Sequence, residues 1–332
     1  MHLPLSTVQK ARYLLARYLP RTRLAPSPSL SRRSAAKVFL KLEGELPTGS
    51  FKPRGALYAL SVNMARGRLR GVVASSTGNH GAAVAYAAQR LGVPAVVFLP
   101  ENANPVKRAR IAELGATIFE SGRDIRDAFR GAAAYARAEN LYFLNDATDP
   151  DLPTGPAAIA CEILEELPDT DAIYVPMGDT ALIRGIAAAA KQISRRVQII
   201  GVQAERAPSY YLSWQQGHAV TTPDCDTIAD GLATRIPEAE NVRAIRELVD
   251  DLRLVSEERM LSAIRHLWLE DHVVAEPAGA ASTAALLGHG GPLRGNIILI
   301  ASGANVAPEI TNSVLAGDSA TLPSAALQSR PE

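Results

Sequence analysis

Only six lysines occur among the 35 Lys and Arg residues, and one of them, Lys52, arrives in the turn Pro47-Thr48-Gly49-Ser50-Phe51-Lys52-Pro53-Arg54-Gly55 beside an aromatic ring. A lysine that condenses with an aldehyde must be held in a dry, packed place where its amine can be neutral. The same turn also fits an ordinary solvated lysine in a loop that opens a helix. In Ser75-Ser76-Thr77-Gly78-Asn79-His80-Gly81, small hydroxyl residues and glycines lead straight into a helical pattern. Exposed N–H groups at such a start attract anions, here a substrate carboxylate, although a simple cap and tight turn would read the same way. His80 lies one step inside the helix and reads as structural rather than as a general base. Pro176-Met177-Gly178-Asp179-Thr180-Ala181-Leu182 opens another helix and could cradle a phosphate through its N–H groups and the Thr180 hydroxyl. The alternative is a helix capped by Asp179 or Thr180. Ser302-Gly303-Ala304-Asn305 places a hydroxyl just after an apolar run.

These four segments share a position: each follows a short run that reads as a buried strand. The runs are residues 38–42, 72–74, 95–99, 172–175, 197–202 and 297–301, and helical spacing is carried by 79–91, 105–114, 124–139, 155–166 and 180–194. Such alternation predicts a parallel sheet with covering helices, and in open α/β sheets ligands sit beyond the carboxyl ends of the strands. Residues 146–156, with three prolines, read as a crossover between domains. No internal repeat is present, and the tail after Gly317 reads as frayed.

A chain of 332 residues, 47% of them hydrophobic, favours two domains over one. Its 35 basic and 34 acidic residues form no long block of one sign, which excludes the footprint of a nucleic-acid binder and suits a small neutral or zwitterionic substrate. No apolar stretch approaches the roughly 18 residues of a membrane span, and no signal core is present, so a soluble cytoplasmic protein is expected. Cys161 and Cys225 lack a CxxC spacing and read as two reduced thiols, with Cys161 buried on a helix. No strand leads into a GxGxxG turn, which argues against a dinucleotide-dependent oxidoreductase.

Taken together and in this order, the segments resemble the fold type II pyridoxal phosphate enzymes, and within them the threonine/serine dehydratase and serine racemase family. The supporting strings are Lys41-Leu42-Glu43, Thr48 to Lys52, Arg54-Gly55, Ser76 to Gly81, Thr227-Ile228-Ala229-Asp230-Gly231, Glu276-Pro277-Ala278-Gly279-Ala280 and Ser302-Gly303. The resemblance implies two open, mostly parallel twisted sheets covered by helices, as in the tryptophan synthase β fold. It also implies a large cofactor-binding domain (1–71 with 148–316), a small domain (72–147) that binds the substrate carboxylate, and a homodimer. Lys52 would hold pyridoxal 5'-phosphate as a Schiff base and act as general base. Phe51 would pack on the cofactor ring, Asn79 would bond the ring hydroxyl, and Gly178, Asp179, Thr180, Ala181 and Leu182 would hold the phosphate. Ser302 would face the pyridine nitrogen, with Glu276 nearby. Ser76, Thr77, Gly78, Asn79 and His80 would hold the substrate carboxylate, with Thr77 standing where racemases present a catalytic serine. The implied reaction is elimination of the β-hydroxyl of a 3-hydroxy amino acid to a 2-oxo acid and ammonia, with the cofactor phosphate as proton source.

The sequence departs from the family in several places. Relatives show four glycines where this chain has Gly178-Asp179-Thr180-Ala181, and a carboxylate about 4 Å from a phosphate meets repulsion on the order of 4 kcal/mol at an effective dielectric near 20. Asp179 is therefore expected to point away, toward Arg184 or as a helix cap, and the Thr180 hydroxyl to replace a backbone donor. Gln203, Ala207 and Ser209 occupy a divalent-cation site of some relatives without offering charge, so no metal is expected. Gly155-Pro156-Ala157-Ala158 replaces a Gly-Gln-Gly-Thr stretch, and the chain is too short for the regulatory domain of the longer biosynthetic deaminases. Competing readings are a β-replacement synthase, a serine racemase and a non-catalytic regulatory homologue.

Overall fold

The computed structural model describes residues 3–316 apart from Thr77, Asn102 and Asn104. The expected fraying after Gly317 lies outside the described residues. In chain order the strands are β1 (Leu24–Pro26), β2 (Lys37–Leu42), β3 (Val72–Ser75), β4 (Ala95–Leu99), β5 (Thr117–Glu120), β6 (Tyr142–Phe143), β7 (Thr170–Pro176), β8 (Gln198–Ala204), β9 (Asp251–Val255) and β10 (Asn296–Ala301). They form a six-stranded sheet in the order β1-β2-β10-β7-β8-β9 and a four-stranded sheet in the order β5-β4-β3-β6. Every pairing is parallel except β1 with β2 at one edge. Parallel neighbours require long crossovers, and helices supply them. The six strands read from sequence are all present, as are the five helices.

Helices cover both faces of the larger sheet. Glu257–Glu270 and Pro277–Leu287 pack on one face through Ile264, Leu267, Ala280 and Ala281, while Thr154–Glu166 and Ala181–Ile193 pack on the other through Ile159, Ile163, Ile183 and Ile186. Central-strand residues such as Ile173, Ile298 and Leu299 are wholly buried, and each contributes roughly 1.5–3 kcal/mol of apolar burial. Cys161 is buried within Thr154–Glu166 as read from the sequence. The smaller sheet is covered by Lys52–Ala65 and Asn79–Leu91 on one side and by Ile125–Ala138 on the other. Among the described residues no helix is long and apolar enough to cross a membrane.

The chain returns from the smaller sheet to the larger through residues 144–153. Asp149 fixes that return: its Oδ1 accepts from the N–H groups of Asp151 and Leu152, both at 3.0 Å, and its Oδ2 accepts from the Tyr142 hydroxyl.

Beneath the Lys52 turn lies a buried set of charges. Arg54 donates through Nε to Glu43 (2.8 Å) and through Nη1 to Glu162 (2.6 Å), and Lys41 Nζ donates to Glu162 (2.6 Å) and to the Thr22 carbonyl (2.8 Å). All four charged residues are nearly inaccessible, and two cations balance two carboxylates. Burial alone would push the Glu162 carboxyl up, but Arg54 and Lys41 hold it below its ordinary range. The set joins β2, the Lys52–Ala65 helix and the Thr154–Glu166 helix, and so fixes the backbone two residues from Lys52. Replacing Arg54 by Met leaves two buried carboxylates against one cation. About 3–5 kcal/mol of stability should be lost, read as a lower midpoint in urea denaturation of Arg54→Met.

Candidate active site

Lys52 is placed from two directions. Ser50 pairs with Gly303 in an antiparallel bridge, and the Phe51 N–H donates to the Ser302 carbonyl at 3.0 Å, which fastens the lysine turn to the loop leaving β10. Pro53 then stands in the first turn of the Lys52–Ala65 helix, where a missing N–H does no harm. Lys52 Nζ is 5.7 Å from the centre of the Phe51 ring and donates to Asp146 Oδ2 at 2.8 Å. Burial would lower the lysine pKa, but the charges of Asp146, Asp179 and Glu276 together raise it above its ordinary value. Asp146 thus favours the ammonium form of Lys52 across a pair that is only partly buried, with side chains 17% and 25% exposed. Burial works against the Asp146 carboxylate too, and Lys52 outweighs it, holding Asp146 well below the usual carboxylate range.

The second loop enters the site after β3. Asn79 begins the Asn79–Leu91 helix, whose N-cap Gly78 offers no side chain to its first N–H groups. A side chain at position 78 would meet no atom within 4 Å, so the turn faces open space. The Asn79 amide is held at both ends: Nδ2 donates to Glu276 Oε1 (2.7 Å), and Oδ1 accepts from Asn305 Nδ2 (2.6 Å). Asn305 also donates to the Thr48 carbonyl (2.8 Å) and accepts from Arg110 Nη1 (2.5 Å). His80 is buried; its Nε2 donates to the Leu144 carbonyl at 2.9 Å, and its Nδ1 lies 4.0 Å from Asp146 Oδ2. Burial lowers its pKa and so favours the neutral ring. Thr77 lies outside the described residues.

The third loop follows β7. Its backbone is pressed against residues 231–232, so that a methyl group at Gly178 would run into the Gly231 carbonyl, and Gly279 approaches Gly303 in the loop after β10 as closely. Thr180 is the N-cap of the Ala181–Ile193 helix with φ of 70°, a left-handed conformation, and no side chain caps the helix. Its Oγ1 instead accepts from Arg184 Nε at 3.0 Å. Asp179 does not cap either. Its Oδ1 accepts from Thr234 Oγ1 at 3.2 Å, and it lies in the field of Asp146, Lys52 and Arg184. Burial, reinforced by Asp146, pushes its carboxyl up to about 6.

Lys52, Phe51, Asn79, Glu276, Ser302 and the segment from Gly178 to Leu182 thus converge on the carboxyl ends of β2, β3, β7 and β10. Four participants were not singled out from sequence: Asp146, Thr234, Asn241 and Asn305. Asn241 Nδ2 donates to the Ala147 carbonyl at 2.9 Å and lies 3.4 Å from that of Asp179, tying the crossover to the third loop. Asp146 could have been noticed as the first residue of the turn-rich crossover. Gln203 and Ser209 serve locally, accepting from the Tyr211 N–H (2.9 Å) and donating to the Thr234 carbonyl (2.5 Å).

The donor set fits an aldehyde cofactor bearing a phosphate: a single amine at the centre, an uncapped helix start at Ala181, and a neutral serine at the end of β10. A family model described as pyridoxal-phosphate dependent enzyme matches residues 15–303. The L-threonine ammonia-lyase of Geobacter sulfurreducens is 36% identical over 305 residues, which is 92% of this chain and 76% of that protein. Among solved structures, maize serine racemase superposes with a TM-score of 0.88 at 28% identity, covering 96% of this chain and 98% of that one. The processed form of threonine deaminase isoform 2 from Solanum lycopersicum gives a TM-score of 0.88 at 30% identity, covering 95% and 89%. A family match across most of its length, together with relatives above 30% identity, makes this chain a fold type II pyridoxal-phosphate dependent enzyme of the threonine ammonia-lyase family.

Proposed function

We propose that this enzyme removes the β-hydroxyl of a 3-hydroxy amino acid, threonine or serine being the simplest, to give a 2-oxo acid and ammonia. The observation that carries the reading is the Lys52 amine, 2.8 Å from Asp146 and set between two helix starts, at Asn79 and Ala181, that no side chain caps. The names of the relatives, threonine ammonia-lyases and deaminases, support it.

The residues divide the work. Backbone N–H groups from Gly178 to Leu182 hold the cofactor phosphate, where four orphan donors and the helix dipole favour an anion. With the cofactor bound, Phe51 would pack on its ring, Asn79 would hold the ring hydroxyl with Glu276 and Asn305 fixing its amide, and Ser302 would meet the ring nitrogen. A neutral serine there would not hold a proton on that nitrogen, which would favour elimination over transamination. The substrate carboxylate rests on the turn from Ser76 to His80, including Thr77. Bound at Lys52, pyridoxal phosphate supplies an electron sink for the α-carbon. Lys52 Nζ takes the α-proton, and Asp146 stabilises the ammonium that results. The two sheets then correspond to a cofactor unit (1–71 with 148–316) and a substrate-carboxylate unit (72–147), and the assembly is a homodimer in the cytoplasm.

Two experiments test the reading. Borohydride reduction followed by peptide mapping should place the cofactor on Lys52, and Lys52→Ala should lower elimination by about 10²–10⁴ while far-UV circular dichroism is retained. A label on any other residue defeats the assignment. Screening 3-hydroxy amino acids should give ammonia and 2-oxo acid in equal amounts. Added thiol should not divert the product into a substituted amino acid, and if it does, the enzyme is a β-replacement synthase.

A further inference from the structure

The site holds more acid than its chemistry so far uses. Asp146 is bonded to Lys52, whereas Asp179 lies on the same side without that contact, held by Thr234 Oγ1 at 3.2 Å. Asn241 ties the backbone at 147 to the backbone at 179 and so keeps the two carboxyl groups neighbours. The groups that face Asp179 are Lys52 from its helix, Asp146 from the crossover, Thr234 from the loop after Leu232, and Arg184 from its own helix, with Tyr210 behind. Burial and Asp146 push the Asp179 carboxyl up to about 6 against the pull of Lys52 and Arg184, whereas Asp146, bonded to Lys52, is held low. The carboxylate bonded to Lys52 keeps its charge, and the other takes up a proton as pH falls toward 6. When two titratable groups are pushed apart in this way, acid and base roles follow.

We propose that Asp179 is the acid that protonates the departing β-hydroxyl, while Asp146 stays ionised beside Lys52. Resting on the elimination reading above, this assignment replaces the cofactor phosphate as proton source. Thr234 donates to Oδ1, which leaves the proton on Oδ2. The Cα–H bond breaks, its proton passes to Lys52 Nζ, and its electron pair forms the Cα=Cβ bond. The Cβ–O bond breaks, its electron pair leaves with the oxygen, and the oxygen takes the Asp179 proton to depart as water. Lys52 then releases its proton to solvent, and Asp179 takes one up. No oxidant or reductant is required. A neutral Asp179 also removes the repulsion that a second anion would exert on a phosphate held at the Ala181 helix start.

The test compares leaving groups. Chloride departs without a proton, so β-chloroalanine bypasses the acid while using every other part of the site. With cofactor saturating, as followed by its visible absorbance on titration, Asp179→Asn should lower the ratio of hydroxyl to chloride elimination by about a hundredfold or more. Asp179→Ser should do the same, and Asp179→Glu should restore much of the ratio. Any general effect on folding or cofactor retention cancels in that ratio. The wild-type hydroxyl reaction should also lose rate as pH rises and Asp179 ionises, and the chloride reaction should lack that limb. A ratio in both neutral variants within about threefold of the wild-type value overturns the assignment of Asp179 alone. A wild-type enzyme that eliminates chloride but no hydroxyl from any 3-hydroxy amino acid overturns both this assignment and the dehydratase reading.

Discussion

Charge taken out of water must be balanced within the fold, and that requirement organises this protein twice. In the layer under the lysine turn, Arg54 and Lys41 meet Glu43 and Glu162 with every contact short and every group buried. In the site itself, Lys52 meets Asp146, with the carboxyl groups of Asp179 and Glu276 close enough to act on it. The lower set is closed and neutral, so it contributes geometry rather than chemistry. The upper set carries an excess of carboxylates over cations, and this imbalance shifts its pKa values.

Position comes from the sheets. Four loops leave the carboxyl ends of parallel strands; the Ser50–Gly303 bridge joins two of them into one wall, against which Gly279 packs at Gly303, while Gly178 of the third packs on Gly231, both too closely for side chains. The fourth, bearing Asn79, belongs to the smaller sheet and reaches that wall through Glu276 and Asn305. The amide of Asn79 is thereby oriented by groups from the opposite side of the cleft, and a small change in how the sheets meet would turn it.

Much of this was legible in the residues, and what was missed has physical reasons. Buried parallel strands are apolar on both faces, so Val72, Val73, Ile298 and Leu299 announced themselves. Strands β5 and β9 are edge strands with polar outer positions, as in Thr117-Ile118-Phe119-Glu120 and Asp251-Leu252-Arg253-Leu254-Val255, and their pattern does not separate them from loop. Lys52 was found because lysine is scarce here and the turn around it is distinctive. Asp146 was not, because an aspartate among prolines reads as turn chemistry and its partner lies 94 positions away. Asp179 caps no helix, but Arg184 acts on it as the repulsion argument expects, and the bond from Thr234, a residue 55 positions on, is not visible in the local sequence.

The order of strands in the larger sheet bears on how the chain is made. Strand β2 lies between β1 and β10, and Lys37 pairs with Asn296, about 260 residues later in the chain. The smaller sheet, by contrast, draws all four strands from one continuous stretch between Val72 and Phe143. At a synthesis rate of about 5–20 residues per second, β2 waits on the order of ten seconds or more at the ribosome for its central partner. The inserted unit can close during that interval, whereas the sheet that carries Lys52 and Ser302 is completed only as the last strand emerges, a sequence of events with high contact order and slow folding.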